Sequence, residues 1–182
     1  MKVLAISGSL RKHSSNTAVL RAVMQLATPD VRVTLETALD SLPFFNPDLD
    51  QEGMQPPRAV GEFRARVADA DALLICSPEY AHGVAGVLKN ALDWLVSGPE
   101  IVHKPIGLIN ASPRSTHAQA ALAETLRTMS AVLVPAVSVA VPVSGRSLDA
   151  SAIAADADLA DALRSALNAL AGAVRTRAAS FP

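Results

Sequence analysis

The chain has 182 residues, half of them apolar, with 16 Lys and Arg against 17 Asp and Glu and a formal net charge of −1. A near-neutral chain with no basic stripe excludes a typical nucleic-acid binder, and no apolar run nears the ~20 residues of a membrane span. The single cysteine excludes an intrachain disulfide and fits a reducing, cytoplasmic setting.

The length favours one domain over residues 1–182. Residues 2–7 form a short apolar run that stops at Gly8, a strand too short for a signal sequence. Residues 16–27 place Val19, Leu20, Val23 and Leu26 at helical spacing. Residues 31–36 alternate Val31, Val33 and Leu35 as a second strand. Residues 41–57, rich in Pro, Asn, Asp and Gly, read as a long loop. Residues 58–70 read as a helix with Val60, Phe63 and Val67 on one face, and the all-apolar 72–76 as a third, doubly buried strand. Residues 83–96 carry the clearest helical stripe: Val84, Val87, Leu88, Ala91, Leu92 and Leu95. Residues 105–110 make a fourth strand, 115–130 a helix, 132–141 a fifth strand interrupted at Pro135, and 151–175 one closing helix.

Five βα units imply a parallel sheet with helices on both faces. Ligands of such sheets lie at the carboxyl ends of the strands. Three loops leave those ends: residues 8–16, 77–83 and 111–116. In the first, Gly8 permits a tight departure, Ser9, Ser15 and Thr17 offer hydroxyls, and Ser15, Asn16 and Thr17 fall where a helix start leaves free N–H groups. Arg11 adds a planar charged fork. That pattern suits a phosphate, and it suits an ordinary helix cap equally well. Neither G-x-x-x-x-G-K-[ST] nor G-x-G-x-x-G occurs, which disfavours a P-loop nucleotidase and a dinucleotide Rossmann site.

The motifs G-S-L-R…S-S-N-T after the first strand and P-E-Y…G-V-L-K-N-A-L-D-W after the third resemble the NADPH-dependent FMN reductase family, which includes flavodoxin-like quinone and chromate reductases. The resemblance implies a doubly wound five-stranded parallel sheet of order 2-1-3-4-5. It implies FMN phosphate on Ser9, Arg11, Ser15, Asn16 and Thr17, and the flavin ring against Pro78, Glu79, Tyr80, Ala81, His82 and Gly83. The sequence departs from the commoner pattern P-E-Y-N-x-S-x-P-G at Ala81, Gly83 and Ala85, so this loop must be held differently. Ser112, in Ser112-Pro113-Arg114-Ser115-Thr116, reads as a turn and helix cap and also as a further flavin contact, with Arg114 a candidate for the nicotinamide cofactor.

Other residues read more plainly. Cys76 ends an apolar strand, which favours a buried structural thiol. His13, His82, His103 and His117 have no metal-ligand spacing. Glu79 reads as a structural carboxylate rather than a general base, and no side chain is assigned a catalytic role because the cofactors carry hydride transfer. Phe44 and Phe45 either cover an edge of the site or anchor the long loop. Trp94 lies on the flank of its helix and reads as core edge or as a subunit contact, with Gly86, Asn90 and Asp93 facing away where something approaches closely. The resemblance implies a homodimer or homotetramer built partly on that helix.

The expected activity is an FMN-dependent oxidoreductase taking hydride from NADPH or NADH. It would reduce a small acceptor, such as a quinone, free flavin, azo compound or oxidised metal ion, by a ping-pong mechanism. The alternatives are a flavodoxin-type electron carrier, disfavoured by the near-neutral charge, and a flavin-free relative of the same fold.

Overall fold

The computed structural model describes residues 1–143, 145 and 148–180. In chain order the elements are β1 (Lys2–Ser7), α1 (Ser15–Leu26), β2 (Arg32–Glu36), α2 (Arg58–Asp69), β3 (Ala72–Cys76), β4 (Glu79–Tyr80) and β5 (Gly83–Val84). There follow α3 (Gly86–Asp93), β6 (Pro105–Asn110), α4 (Thr116–Thr128), β7 (Val132–Leu133), β8 (Val139–Ala140), α5 (Ala150–Ala155) and α6 (Ala157–Ser180).

The main sheet is parallel and runs β2-β1-β3-β6-β7, with β8 also paired to β6. Counting β7 and β8 as one interrupted strand, this is the expected order 2-1-3-4-5. Strand alternation sorts the core into two layers. Val3, Ala5, Leu74 and Cys76 point toward α1, α5 and α6, whereas Leu4, Ile6, Leu73 and Ile75 point toward α2, α3 and α4. Both faces are apolar because both are covered. No helix among the described residues is long and apolar enough to cross a membrane.

Three boundaries differ from the sequence reading, each for a local reason. The fifth strand is split. β7 pairs with Pro105 and Ile106, β8 with Ile109 and Asn110, and a 3-10 turn at Pro135–Val137 steps out between them. Pro135 has no N–H to give the ladder, and Gly107 opposite leaves the space that buried Val137 fills: a Cβ there would lie 2.9 Å from Val137 Cβ. The closing helix is two helices, because Asp156 leaves helical geometry (φ −74°, ψ 116°) and its carboxylate accepts from Leu159 N at 3.2 Å, starting α6 afresh. Residues 83–85 do not open the third helix. Gly83 and Val84 pair antiparallel with Tyr80 and Glu79 in a hairpin, and α3 begins at Gly86.

Trp94 is buried within its own chain, with none of its surface exposed. Its Nε1 donates to Pro43 O at 2.8 Å, and its ring meets Phe45 edge-on at 5.0 Å. Asn90 accepts from Phe45 N at 2.8 Å and donates to Pro43 O at 3.0 Å. The close approach to this face of α3 is therefore made by the chain's own 43–47 loop, which corrects the reading of Trp94 as a subunit contact. Phe45 anchors that loop, while Phe44 stays 90% exposed. Asn90→Ala should leave Phe45 N without its acceptor, while Pro43 O keeps Trp94 Nε1, and lower stability by about 1–2 kcal/mol, read as a lower denaturant midpoint. An unchanged midpoint would show that Trp94 and Phe45 hold the loop without it.

Candidate active site

The carboxyl ends of β1, β3 and β6 converge, and the three loops that leave them enclose a cleft of about 230 Å³. The first loop contributes Ser9, Arg11, Ser14, Ser15 and Asn16, the second Pro78, Glu79 and Tyr80, and the third Ala111, Ser112 and Ser115. Of the residues expected there, Ser9, Arg11, Ser15, Asn16, Pro78, Glu79, Tyr80 and Ser112 line it, whereas Thr17, Ala81, His82 and Gly83 do not.

The start of α1 is tied down from below. Ser14 is its N-cap: the Oγ accepts from Thr17 N at 3.3 Å and the carbonyl accepts from Ala18 N at 2.9 Å. Thr17 Oγ1 shares a 2.8 Å hydrogen bond with Ser7 Oγ, so this hydroxyl is committed inside the protein. The buried Cys76 thiol donates to Asn16 Oδ1 at 3.2 Å. The N–H groups of Ser15 and Asn16 belong to the first turn, where no intrahelical acceptor exists, and they border the cleft. Ser14, Ala111 and Ser115 also line the cleft without having been assigned as contacts, although the sequence had placed Ser115 in the third loop. The S-S-N-T run was the signal for Ser14, which as the helix cap stands one residue earlier than the assigned Ser15.

Positive charge collects beside this loop. A recess of about 650 Å³ shares Arg11, Ser14 and Ser15 with the cleft and is bordered further by Lys12, His13 and Arg21. Arg11, Lys12 and Arg21 have no ion-pair partner among the described residues. The acid nearby, Asp149, accepts from Ala152 N at 2.8 Å as the cap of α5.

The second loop departs from the sheet at a close crossing: Gly8 N donates to Cys76 O at 2.9 Å, and a Cβ on Gly8 would lie 2.7 Å from Ser77 Cβ. Its hairpin turns at Ala81 (φ 49°) and His82 (φ 59°). His82, 76% exposed, stacks on His117 with centroids 4.2 Å apart rather than facing the cleft. Glu79 Oε2 accepts from Ala118 N at 2.9 Å and so supplies the cap that Ser115 does not give α4. This is the structural role expected of that carboxylate. The third loop is stapled by Asn110, which accepts from Ser112 N at 3.0 Å and donates to Ser115 O at 3.1 Å. Arg114 is exposed and does not line the cleft.

The fold and the cleft together define an α/β protein with a cleft lined by serines and an arginine at the carboxyl edge of its sheet. The chain belongs to the NADPH-dependent FMN reductase family, whose sequence pattern matches residues 1–145. It is 42% identical over 114 residues to an NAD(P)H-dependent FMN reductase of Pseudomonas aeruginosa, covering 62% of this chain and 60% of that one. It is 41% identical over 113 residues to an NADPH:quinone oxidoreductase of Arabidopsis thaliana, covering 60% and 57%. Each alignment thus spans less than two thirds of the relative. Among solved structures, the flavoenzyme NAD(P)H:(acceptor) oxidoreductase FerB from Paracoccus denitrificans superposes with a TM-score of 0.76 at 28% identity, over 96% of this chain and 97% of that one.

Burial pushes the Cys76 thiol up to about 12. A thiol raised above its unfolded value near 8.5 contributes stability that is fully present below that value and is lost as the pH rises toward 12. At pH 8 an alkylating reagent should leave Cys76 intact in the folded protein and modify it stoichiometrically in denaturant. Equal rates in the two states would show that this end of β3 opens freely.

Proposed function

We propose that this chain is an FMN-dependent NAD(P)H oxidoreductase that reduces a small acceptor. The observation that carries the reading is the cleft itself: first-turn N–H groups, serine hydroxyls and an uncommitted arginine meet where a parallel sheet of this order presents a ligand. Those groups fit a phosphate monoester. Arg11 would hold it with a charged fork, Ser9 and Ser15 with hydroxyls, and Ser15 and Asn16 with backbone N–H groups. Pro78, Glu79 and Tyr80 would wall the ring. Thr17 acts behind the phosphate loop through Ser7, and Ala81, His82 and Gly83 act by shaping the hairpin.

When bound, FMN supplies hydride acceptance from a nicotinamide and hydride donation to an acceptor. The protein's part is to bind, orient and exclude. Glu79 spends its carboxylate on α4 and moves no proton. One ring face would pack on the hairpin and third loop, which leaves a single open face. NADPH or NADH and the acceptor would then use that face in turn, a double displacement. The named quinone reductases among the relatives favour a quinone acceptor. A homodimer or homotetramer is part of the reading through the family alone, since Trp94 supports no contact. The buried single thiol fits a reducing cytoplasm.

An absorption spectrum and mass analysis of cofactor released from the purified protein should identify FMN at about one per chain. FAD as the main species, or a colourless protein that takes up no FMN, overturns the reading. Arg11→Ala should weaken FMN binding by about 1.5–3 kcal/mol and riboflavin binding far less, and equal losses would remove Arg11 from the phosphate. Initial rates at several quinone concentrations should give parallel double-reciprocal lines against NAD(P)H. Intersecting lines would place donor and acceptor in the site together.

A further inference from the structure

The hairpin that walls the cleft is conformationally expensive. Ala81 and His82 both have positive φ, as a two-residue turn between β4 and β5 requires. Asn and Gly occupy such positions at little cost, and Asn does so with a side chain that bonds its own backbone. Ala81 has neither advantage and carries a Cβ into the left-handed region. The two strands are two residues each, so Glu79 with Val84 and Tyr80 with Gly83 make the whole ladder. A hairpin this short does not hold itself.

The restraint comes from outside, from the first turn of α4. At the base of the hairpin, Glu79 Oε2 accepts from Ala118 N. At its tip, the His82 ring lies on the His117 ring at 4.2 Å and 15°. These neighbours on α4 grip both ends of the segment that carries Tyr80. His82 and His117 are separated by most of the third loop and α3, so their meeting is a tertiary device and not a property of the turn.

We propose that His117 is a positioning residue for the cleft: stacked on His82, it holds the 81–82 turn in its left-handed form and so fixes the wall made by Pro78, Glu79 and Tyr80. Glu79 Oε1 lies 4.0 Å from His82 Nε2, so the carboxylate that caps α4 also sits beside the stack.

This inference rests on the flavin-site reading only in its ligand arm, because the chain carries a built-in reporter: Tyr80 is the one tyrosine and lies on the wall. Protein labelled with fluorotyrosine gives a single fluorine resonance to follow without any added ligand. In the wild type that resonance should be a single narrow line. His117→Phe keeps a stacking ring and should keep that line. His117→Ala should shift and broaden it, and both substitutions fall on an exposed helix position, where folding is checked by the thermal transition. In the ligand arm, His117→Ala should bind FMN about threefold to tenfold more weakly, with His117→Phe restoring it. An unchanged Tyr80 resonance in His117→Ala, or a His117→Phe protein whose resonance broadens as that of His117→Ala does, overturns the proposal. Failure of all three proteins to bind FMN, with the Tyr80 behaviour as expected, would overturn the flavin reading and leave the positioning role standing.

Discussion

Everything at the cleft leaves from one steric constraint, the contact between Gly8 and Ser77. β1 and β3 run side by side in register to the pair Ser7 and Cys76, and the ladder continues one bond further from Gly8 N to Cys76 O. One residue later the two chains must separate, the first toward α1 and the second toward the hairpin. They can start from touching backbones only if one carries no side chain, since a Cβ on Gly8 would run into Ser77. The crossing brings the first loop and the hairpin wall together at one point. The Ser7–Thr17 and Cys76–Asn16 hydrogen bonds then fix the start of α1 against the same point. The first-turn N–H groups are thus presented on a rigid floor, and little ordering remains to be done when a ligand arrives.

The charged residues divide into those spent on the fold and those left over. Glu36, buried at the end of β2, takes Arg66 of α2 at 2.7 Å and Ala38 N at 2.8 Å. Arg64 donates to Trp94 O and to Asp50 and so clamps the end of α3 to the long loop. Buried Lys104 donates to Ala70 O and Ala68 O at the end of α2, where burial holds its ammonium below the usual lysine range. Each of these groups has found the partner that burial demands. Arg11, Lys12 and Arg21 have no ion-pair partner among the described residues, and all three border the recess beside the first loop and the start of α1.

The sheet was legible because a parallel strand buried on both faces is an uninterrupted apolar run, and residues 72–76 and 105–110 are bounded as their composition implies. What escaped were features made by partners distant in sequence. Gly107 in mid-strand marks room for Val137, but nothing local says what fills it. The helical stripe over residues 83–96 is real from Gly86 onward, yet Gly83 and Val84 answer to the turn before them rather than to that period. Trp94 looked like a candidate for a partner subunit because its neighbour, the 43–47 loop, lies far upstream. Glu79 and Ala118, like His82 and His117, become neighbours only when β6 has set α4 beside the hairpin. Asp156 is the exception, a helix start whose local signal, an aspartate followed by a new apolar period, was readable and was overridden by the longer pattern around it.

A net charge of −1 describes the chain and misdescribes its site. Arg11, Lys12 and Arg21 border one recess beside the cleft together with the single acid Asp149, so the local charge there differs from the chain average. An anionic ligand approaching at moderate ionic strength meets that local field within a Debye length of ~10 Å, and not the chain average. A neutral acceptor gains nothing from it. On the reading proposed above, the first loop would favour phosphate-bearing ligands at the encounter stage, and the choice among uncharged acceptors would fall to the shape of the hairpin wall, which α4 braces through Glu79.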